Sequence, residues 1–243
     1  MDAKNNGIVI PHEHGGWAMV SVPFLFGMMA GTPRWSHLLL FMAWLFFYLA
    51  SYPLLQALKR GRQRGHLLKW SAIYGVVALA SLLYPLIQKP ELYYFGIPFV
   101  LLLIVNVWHV KRKSERAIVN DLCAILIFSL GGAAAYLYGG GGWDKVMLTV
   151  TLFNFLYFMG TALFVKTLFR ERGNPKWRTA AYLYHVLILV VPWACGYPWM
   201  TLPFVFPLIR TLLFAGKQMR PMKAGILEIF GSVQFIAVSW VVF

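Results

Sequence analysis

Apolar residues run in nine stretches, 16–32, 37–57, 70–88, 92–110, 117–138, 146–165, 179–195, 198–215 and 224–243, separated by short polar gaps. Stretches of roughly 17–22 residues suit a hydrocarbon core of about 30 Å, and a helix satisfies its own backbone polar groups there. No stretch alternates polar and apolar residues as a barrel strand does. The pattern predicts an all-α, polytopic membrane bundle of about nine transmembrane helices. They use nearly the whole chain, so residues 1–243 read as a single transmembrane helical domain.

Charge orients the bundle. Basic residues cluster after the second, fourth, sixth and eighth stretches, and only Arg34, Lys89 and Lys145 of the 22 Lys and Arg residues fall on the other side. Short loops rich in Lys and Arg stay in the cytoplasm, which puts the N-terminus inside and the C-terminus outside. Trp17, Trp70, Trp108 and Trp177 fall at the expected inner boundaries and Trp35, Trp143, Trp193 and Trp199 at the outer ones, as interfacial belts do. Composition agrees: 60% of residues are hydrophobic and 12% charged, far from an ordinary soluble domain. The first stretch lacks the basic lead of a cleavable signal peptide. Cys123 and Cys195 lie near opposite membrane faces, too far apart for a disulfide. The run Gly139–Gly142 reads as a flexible outer linker.

The basic face holds nearly all of the formal net charge of +14, more than orientation needs. Part of it meets anionic lipid headgroups. Lys111, Arg112 and Lys113 close the fourth stretch, however, and Lys166, Arg170 and Arg172 finish the sixth, with Lys166 and Arg170 four apart on one helical face. Five histidines, His12, His14, His66, His109 and His185, share that side. Such a ring of Arg, Lys and His suits a phosphate or carboxylate. Asn106 and His109 share a face near the inner end of the fourth stretch, and Asn154 lies nearer the middle of the sixth. Glu228 and Asp121 are costly at membrane depth, and each calls for a basic partner.

Pro11-His12-Glu13-His14-Gly15-Gly16-Trp17 leads into the first stretch. An extended backbone points His12 and His14 one way and Glu13 the other. Two imidazoles and a carboxylate need a further ligand to bind zinc, which His66, His109 or His185 would have to supply. The spacing is no known zinc signature, and hydrogen bonding to an anionic headgroup, with proton transfer by Glu13 or an imidazole, fits better. No metal and no other cofactor is expected. The two glycines let the backbone approach a neighbouring helix or ligand closely.

The segment Pro11–Ala18, with Pro23-Phe24-Leu25-Phe26-Gly27 after it, resembles the YwiC-like family of bacterial membrane proteins, and the similarity runs over most of the chain. The resemblance implies a location in the bacterial cell (inner) membrane. More distantly, Pro11, Pro23 and Gly27, the Lys111-Arg112 pair and Lys166–Gly173 with Arg178-Thr179 look like the UbiA superfamily of intramembrane prenyltransferases. That likeness implies nine helices around a cavity open to the cytoplasm. Those enzymes end their second and sixth spans in aspartates that hold magnesium against a diphosphate. Here Ser51–Lys59 has no carboxylate, and Lys166 and Arg170 stand at the matching positions of the sixth span. Bases cannot ligate Mg²⁺.

The reading is a UbiA-like bundle whose basic, His-rich cavity binds an anionic amphiphile, an isoprenoid-like or phospholipid-like molecule. Asn106, His109, Lys111, Arg112, Asn154, Lys166, Arg170 and Arg172 would bind it. His12, Glu13, His14 and His185 would act as acid or base in a metal-independent lipid transfer, since arginine clamps stabilise leaving-group charge. The alternatives are an anion or lipid transporter and a membrane scaffold without catalysis. Partners are then membrane lipids and the amphiphile, with no nucleic acid.

Overall fold

The computed structural model of the chain describes residues 7–11, 14–59, 63–114 and 117–243, with His14 by its backbone alone. Among the described residues every regular element is helical. The helices are α1 (His14–Ala30), α2 (His37–Lys59), α3 (Arg64–Gln88), α4 (Gly96–Lys111), α5 (Ile118–Tyr138), α6 (Lys145–Leu168), α7 (Pro175–Leu187), α8 (Val191–Ala194), α9 (Leu202–Phe214) and α10 (Pro221–Val242). Single tight 3-10 segments, Pro90–Phe95 and Pro198–Thr201, lead into α4 and α9. Among the described residues six helices are long and apolar enough to cross a membrane by length and composition: α2, α3, α4 with its 3-10 lead, α5, α6 and α10.

The seventh apolar stretch is not one straight helix. Its α-helix ends at Leu187, and Leu189, Val190 and Val191 donate instead to carbonyls three residues back. Pro192 explains the change. It has no N–H to give Ile188, and its ring would press on that carbonyl in a regular helix.

Helix α6 is the axis of the bundle. Phe153, Asn154, Tyr157, Phe158, Thr161 and Phe164 along it are all buried, whereas α3 turns Val76, Leu79, Leu83 and Ile87 outward. Three core clusters draw on it, the smallest around Phe164, Leu168, Ala215 and Ala224; the two larger ones lie along its length. One gathers Phe26, Ile125, Phe153, Tyr157, Phe204 and Phe235 from α1, α5, α6, α9 and α10. The other joins Phe24, Leu40, Ala133, Leu137 and Met147 from α1, α2, α5 and α6.

Helices α1 and α5 touch backbone to backbone. A Cβ on Gly132 would stand 2.5 Å from the Pro23 carbonyl oxygen, and one on Gly27 would overlap the Gly132 carbonyl. The contact continues through the Gly139 region. Gly139 is buried, its carbonyl accepts from Thr32 N–H at 2.9 Å, and Gly141 lies against the Tyr136 ring. The glycine run is therefore packed onto α1 rather than a free linker, because a Cβ would crowd Thr32 at Gly139 and the Tyr136 ring at Gly141. His37 locks the same end, its ring within 3.1 Å of Ala135 O and 3.2 Å of Arg34 O.

Candidate functional site

A cavity of about 220 Å³ lies between α2, α4 and α5. Trp44, Phe47, Tyr48 and Tyr52 line it from α2, Phe99 and Asn106 from α4, and Ala124 and Phe128 from α5. The wall is aromatic, with Ser51 and Asn106 as its short polar groups. Ser51 Oγ donates to Tyr48 O at 2.8 Å and Asn106 Nδ2 to Leu102 O at 2.8 Å. These bonds satisfy one donor on each residue.

Pro11 closes part of the cavity. The stretch before it crosses the start of α3, where His66 Nε2 lies 3.0 Å from Gly7 O and Tyr74 donates to Val9 O at 3.0 Å. Trp17 Nε1 donates to Pro11 O at 3.4 Å. His12 and Glu13 lie outside the described residues, as does the side chain of His14. Gly16 has the use expected of it: with no Cβ, it lets the Tyr48 hydroxyl come against α1.

The end of α4 is a helix stop that carries charge. Ser114 N–H donates to His109 O at 2.9 Å and Lys113 N–H to Val110 O at 3.1 Å, the paired bonds of a Schellman stop. Lys113 takes the left-handed position at φ 55°, which glycine usually occupies. His109 is buried, with Nδ1 2.9 Å from Ser114 Oγ. Arg112 lays its guanidinium over Trp108 at 4.4 Å, and Lys111 is exposed. Asn106, His109, Lys111 and Arg112 thus occupy the last turn and a half of one helix, from the cavity wall to the surface.

The end of α6 is arranged differently. Lys166 Nζ pairs with Asp121 Oδ2 at 2.7 Å and lies 5.6 Å from the Trp177 ring centre. Asp121 therefore has the base that its depth requires, and Lys166 meets a carboxylate of the protein. Arg170 and Arg172 are exposed at the same end. Asn154 is fully buried in α6, bonded to Val150 O at 2.8 Å, and is no part of the cavity wall. His185 is also fully buried, with Nδ1 2.7 Å from Ala181 O and Nε2 3.3 Å from Thr211 Oγ1. It packs against Gly160, where a Cβ would stand 2.9 Å from Nε2.

Two features escape a reading of the sequence. The aromatic wall is one, since apolar rings in three stretches do not announce which face they share. Arg210 is the other. It reads as one more base of the charged face, yet it is 1% exposed and bonds Glu228 Oε1 at 2.6 Å. The signal that pointed to it was Glu228, whose depth demands a partner.

A family model described as YwiC-like protein matches residues 10–136. The chain is 35% identical over 230 residues to the Bacillus subtilis (strain 168) protein named "Uncharacterized protein YwiC", covering 95% of this chain and 96% of that one. It is 33% identical over 221 residues to a Haemophilus influenzae (strain ATCC 51907 / DSM 11121 / KW20 / Rd) protein named "Uncharacterized protein", covering 91% and 92%. No solved structure matches.

Proposed function

This integral membrane protein belongs to the YwiC-like family, and we propose that it binds an amphiphile with its apolar chain in the α2–α4–α5 cavity and its anionic headgroup on the end of α4. The observation that carries the reading is the cavity itself, which is aromatic inside and reaches Asn106 on α4, the helix whose end carries His109, Lys111 and Arg112. Ligand pockets combine an apolar wall with a few placed polar groups in this way. At about 220 Å³ it is smaller than the usual range of about 300–1,000 Å³. It therefore takes part of a chain, and the remainder lies along the lipid-facing surface.

Charge sorts the basic residues into roles. Among the described residues the wall of the cavity holds no cation, so the headgroup rests outside it, at the end of α4. Lys111 and Arg112 are exposed at the end of α4, in no ion pair with a carboxylate among the described residues, and Lys113 keeps a cation where the backbone favours glycine. Arg170 and Arg172 extend the positive field on the far side of α5, while Lys166 answers Asp121. His12, Glu13 and His14 follow Pro11, the residue at the cavity edge, which suits them to proton transfer at a headgroup held nearby. In the prenyltransferases that the chain distantly resembles, carboxylates and magnesium hold the headgroup; here the bases of the protein take that role. The basic end is the cytoplasmic one on this reading, in a bacterial cell membrane.

The test is mass spectrometry of lipids that stay with the protein through gentle solubilisation, compared between wild type, Ala124→Phe and Lys111→Ala/Arg112→Ala. Wild type should enrich a phosphate- or carboxylate-bearing lipid over the bulk membrane. Filling the cavity with Ala124→Phe should abolish the enrichment, and the double alanine variant should reduce it at least tenfold. Equal enrichment in Ala124→Phe refutes the cavity assignment. Anion-driven flux in proteoliposomes would replace this reading with a transporter.

A further inference from the structure

A second polar site lies in the C-terminal half of the bundle and shares no residue with the cavity wall. Arg210 of α9 is 1% exposed, bonds Glu228 of α10 at 2.6 Å and stacks its guanidinium over Phe164 of α6 at 4.3 Å. One nitrogen of the three is thereby occupied. Nε and Nη2 meet no protein acceptor, and solvent at the surface does not reach them. Glu228 Oε2, Tyr157 OH and Thr161 Oγ1 are equally enclosed; the phenol stands near the Ser232 and Thr161 hydroxyls and Thr161 near Glu228, but none of these atoms closes a well-aligned hydrogen bond.

These atoms belong to one cluster. Tyr157 lies within the electrostatic reach of both Glu228 and Arg210, and Thr161 stands beside both Tyr157 and Glu228. Gly231 of α10 brings its backbone close to the phenol, since a Cβ there would stand 3.0 Å from Tyr157 OH. His185 also lies within the field of Arg210, and its ring nitrogens already face Ala181 O and Thr211 Oγ1. The cluster thus offers donors from a guanidinium, an acceptor from a carboxylate, and two hydroxyls that do either.

Enclosed polar atoms without partners are costly, most of all in a hydrocarbon surround. Charge selects what answers them. The guanidinium is matched by the carboxylate at 2.6 Å, so an added anion would leave the site with an unbalanced negative charge and an added cation with a positive one. A neutral molecule that both donates and accepts fits, and water satisfies two to four buried polar groups in this way. We propose that Arg210, Glu228, Tyr157 and Thr161 enclose a binding site for small neutral hydrogen-bonding molecules, occupied by water. The ion pair, the enclosed water and the hydroxyls of α6 together form the polar joint between α6, α9 and α10.

The test is a crystal structure of the full chain in a lipidic phase, with bromide as the only halide, for wild type and Glu228→Gln. In wild type, density for ordered water should bridge Arg210 Nε and Nη2 to Glu228 Oε2 or the hydroxyls, with no anomalous bromide peak. Glu228→Gln removes the balancing charge, and bromide should then appear beside Arg210. A bromide peak in wild type overturns the neutral-ligand assignment. So does wild-type density in which Arg210, Tyr157 and Thr161 pair directly with protein groups and enclose nothing. Absence of bromide from folded Glu228→Gln overturns the charge argument. Where that variant does not assemble, the two wild-type outcomes decide.

Discussion

Replacing Gly132 with alanine should force α1 and α5 apart. The new Cβ would stand 2.5 Å from the Pro23 carbonyl oxygen and 3.1 Å from its carbon. Ordinary contact begins near 3.4 Å, so the helices must separate by about 0.9 Å at this level. The obstruction is backbone, which cannot swing aside as a side-chain tip can. Overpacking of this kind costs about 1–3 kcal/mol, and removing a helical glycine returns about 0.5–1 kcal/mol. The net loss centres on about 1 kcal/mol and does not exceed about 2.5 kcal/mol, which for a chain of this size lowers Tm by about 2–4 °C and at most about 10 °C. Tryptophan fluorescence during thermal unfolding in detergent measures it. The control is Gly75→Ala in α3, where a Cβ meets nothing within 4 Å and stability should rise by up to about 1 kcal/mol. A Gly132→Ala protein as stable as Gly75→Ala would refute the backbone contact between α1 and α5.

Two other outcomes follow from ion and cap geometry. Lys166→Met strands Asp121, whose side chain is 25% exposed beside a lysine at 10%. Partial exposure tempers the loss to about 1–3 kcal/mol, and Lys166→Met/Asp121→Asn should recover much of it, with additive losses in the double-mutant cycle as the refuting result. Asp144 caps α6, accepting from Met147 N–H at 3.0 Å, and Asp144→Ala should cost about 0.5–2 kcal/mol. That backbone bond holds the Asp144 carboxyl below the usual aspartate range. The cap therefore contributes fully above that range and is lost as pH falls through the lowered value. Wild type and Asp144→Ala should converge in unfolding temperature in acid and differ at neutral pH; a constant gap across the titration would refute the charged cap.

Much of the bundle was legible because hydrocarbon thickness dictates the length of an apolar run. The need of Asp121 and Glu228 for bases was legible for a similar reason, since neither carboxylate is tolerated alone at depth. Which base each found was not. Arg210 sits near the end of its apolar stretch, where position suggests a surface charge, and the rotation of α9 turns it inward instead. The position of His185 in the sequence groups it with the histidines of the basic face, but α7 presents it to Gly160 and Thr211. Asn106 was placed near the inner end of α4 by spacing alone, and it does line the cavity. The ring wall of that cavity was hidden because Trp44, Phe99 and Phe128 are separated in sequence and meet only through helix rotation. Gly139–Gly142 misled for a chemical reason: glycine signals freedom in a loop and close approach in a core, and composition does not separate the two uses.

The stretch from Gly7 to Pro11 is held down by three hydrogen bonds, through His66, Tyr74 and Trp17. At about 1 kcal/mol of net stabilisation each, they favour the docked state over a lifted one by roughly two orders of magnitude. Pro11 is also part of the cavity wall, so whatever fills the cavity touches the docked stretch and loses that contact when it lifts. Occupancy and docking are then linked quantities: each must strengthen the other by the same factor. On the proposed reading, a substitution that loosens the Gly7–Pro11 stretch should therefore weaken binding in the cavity by the same factor that a ligand strengthens docking.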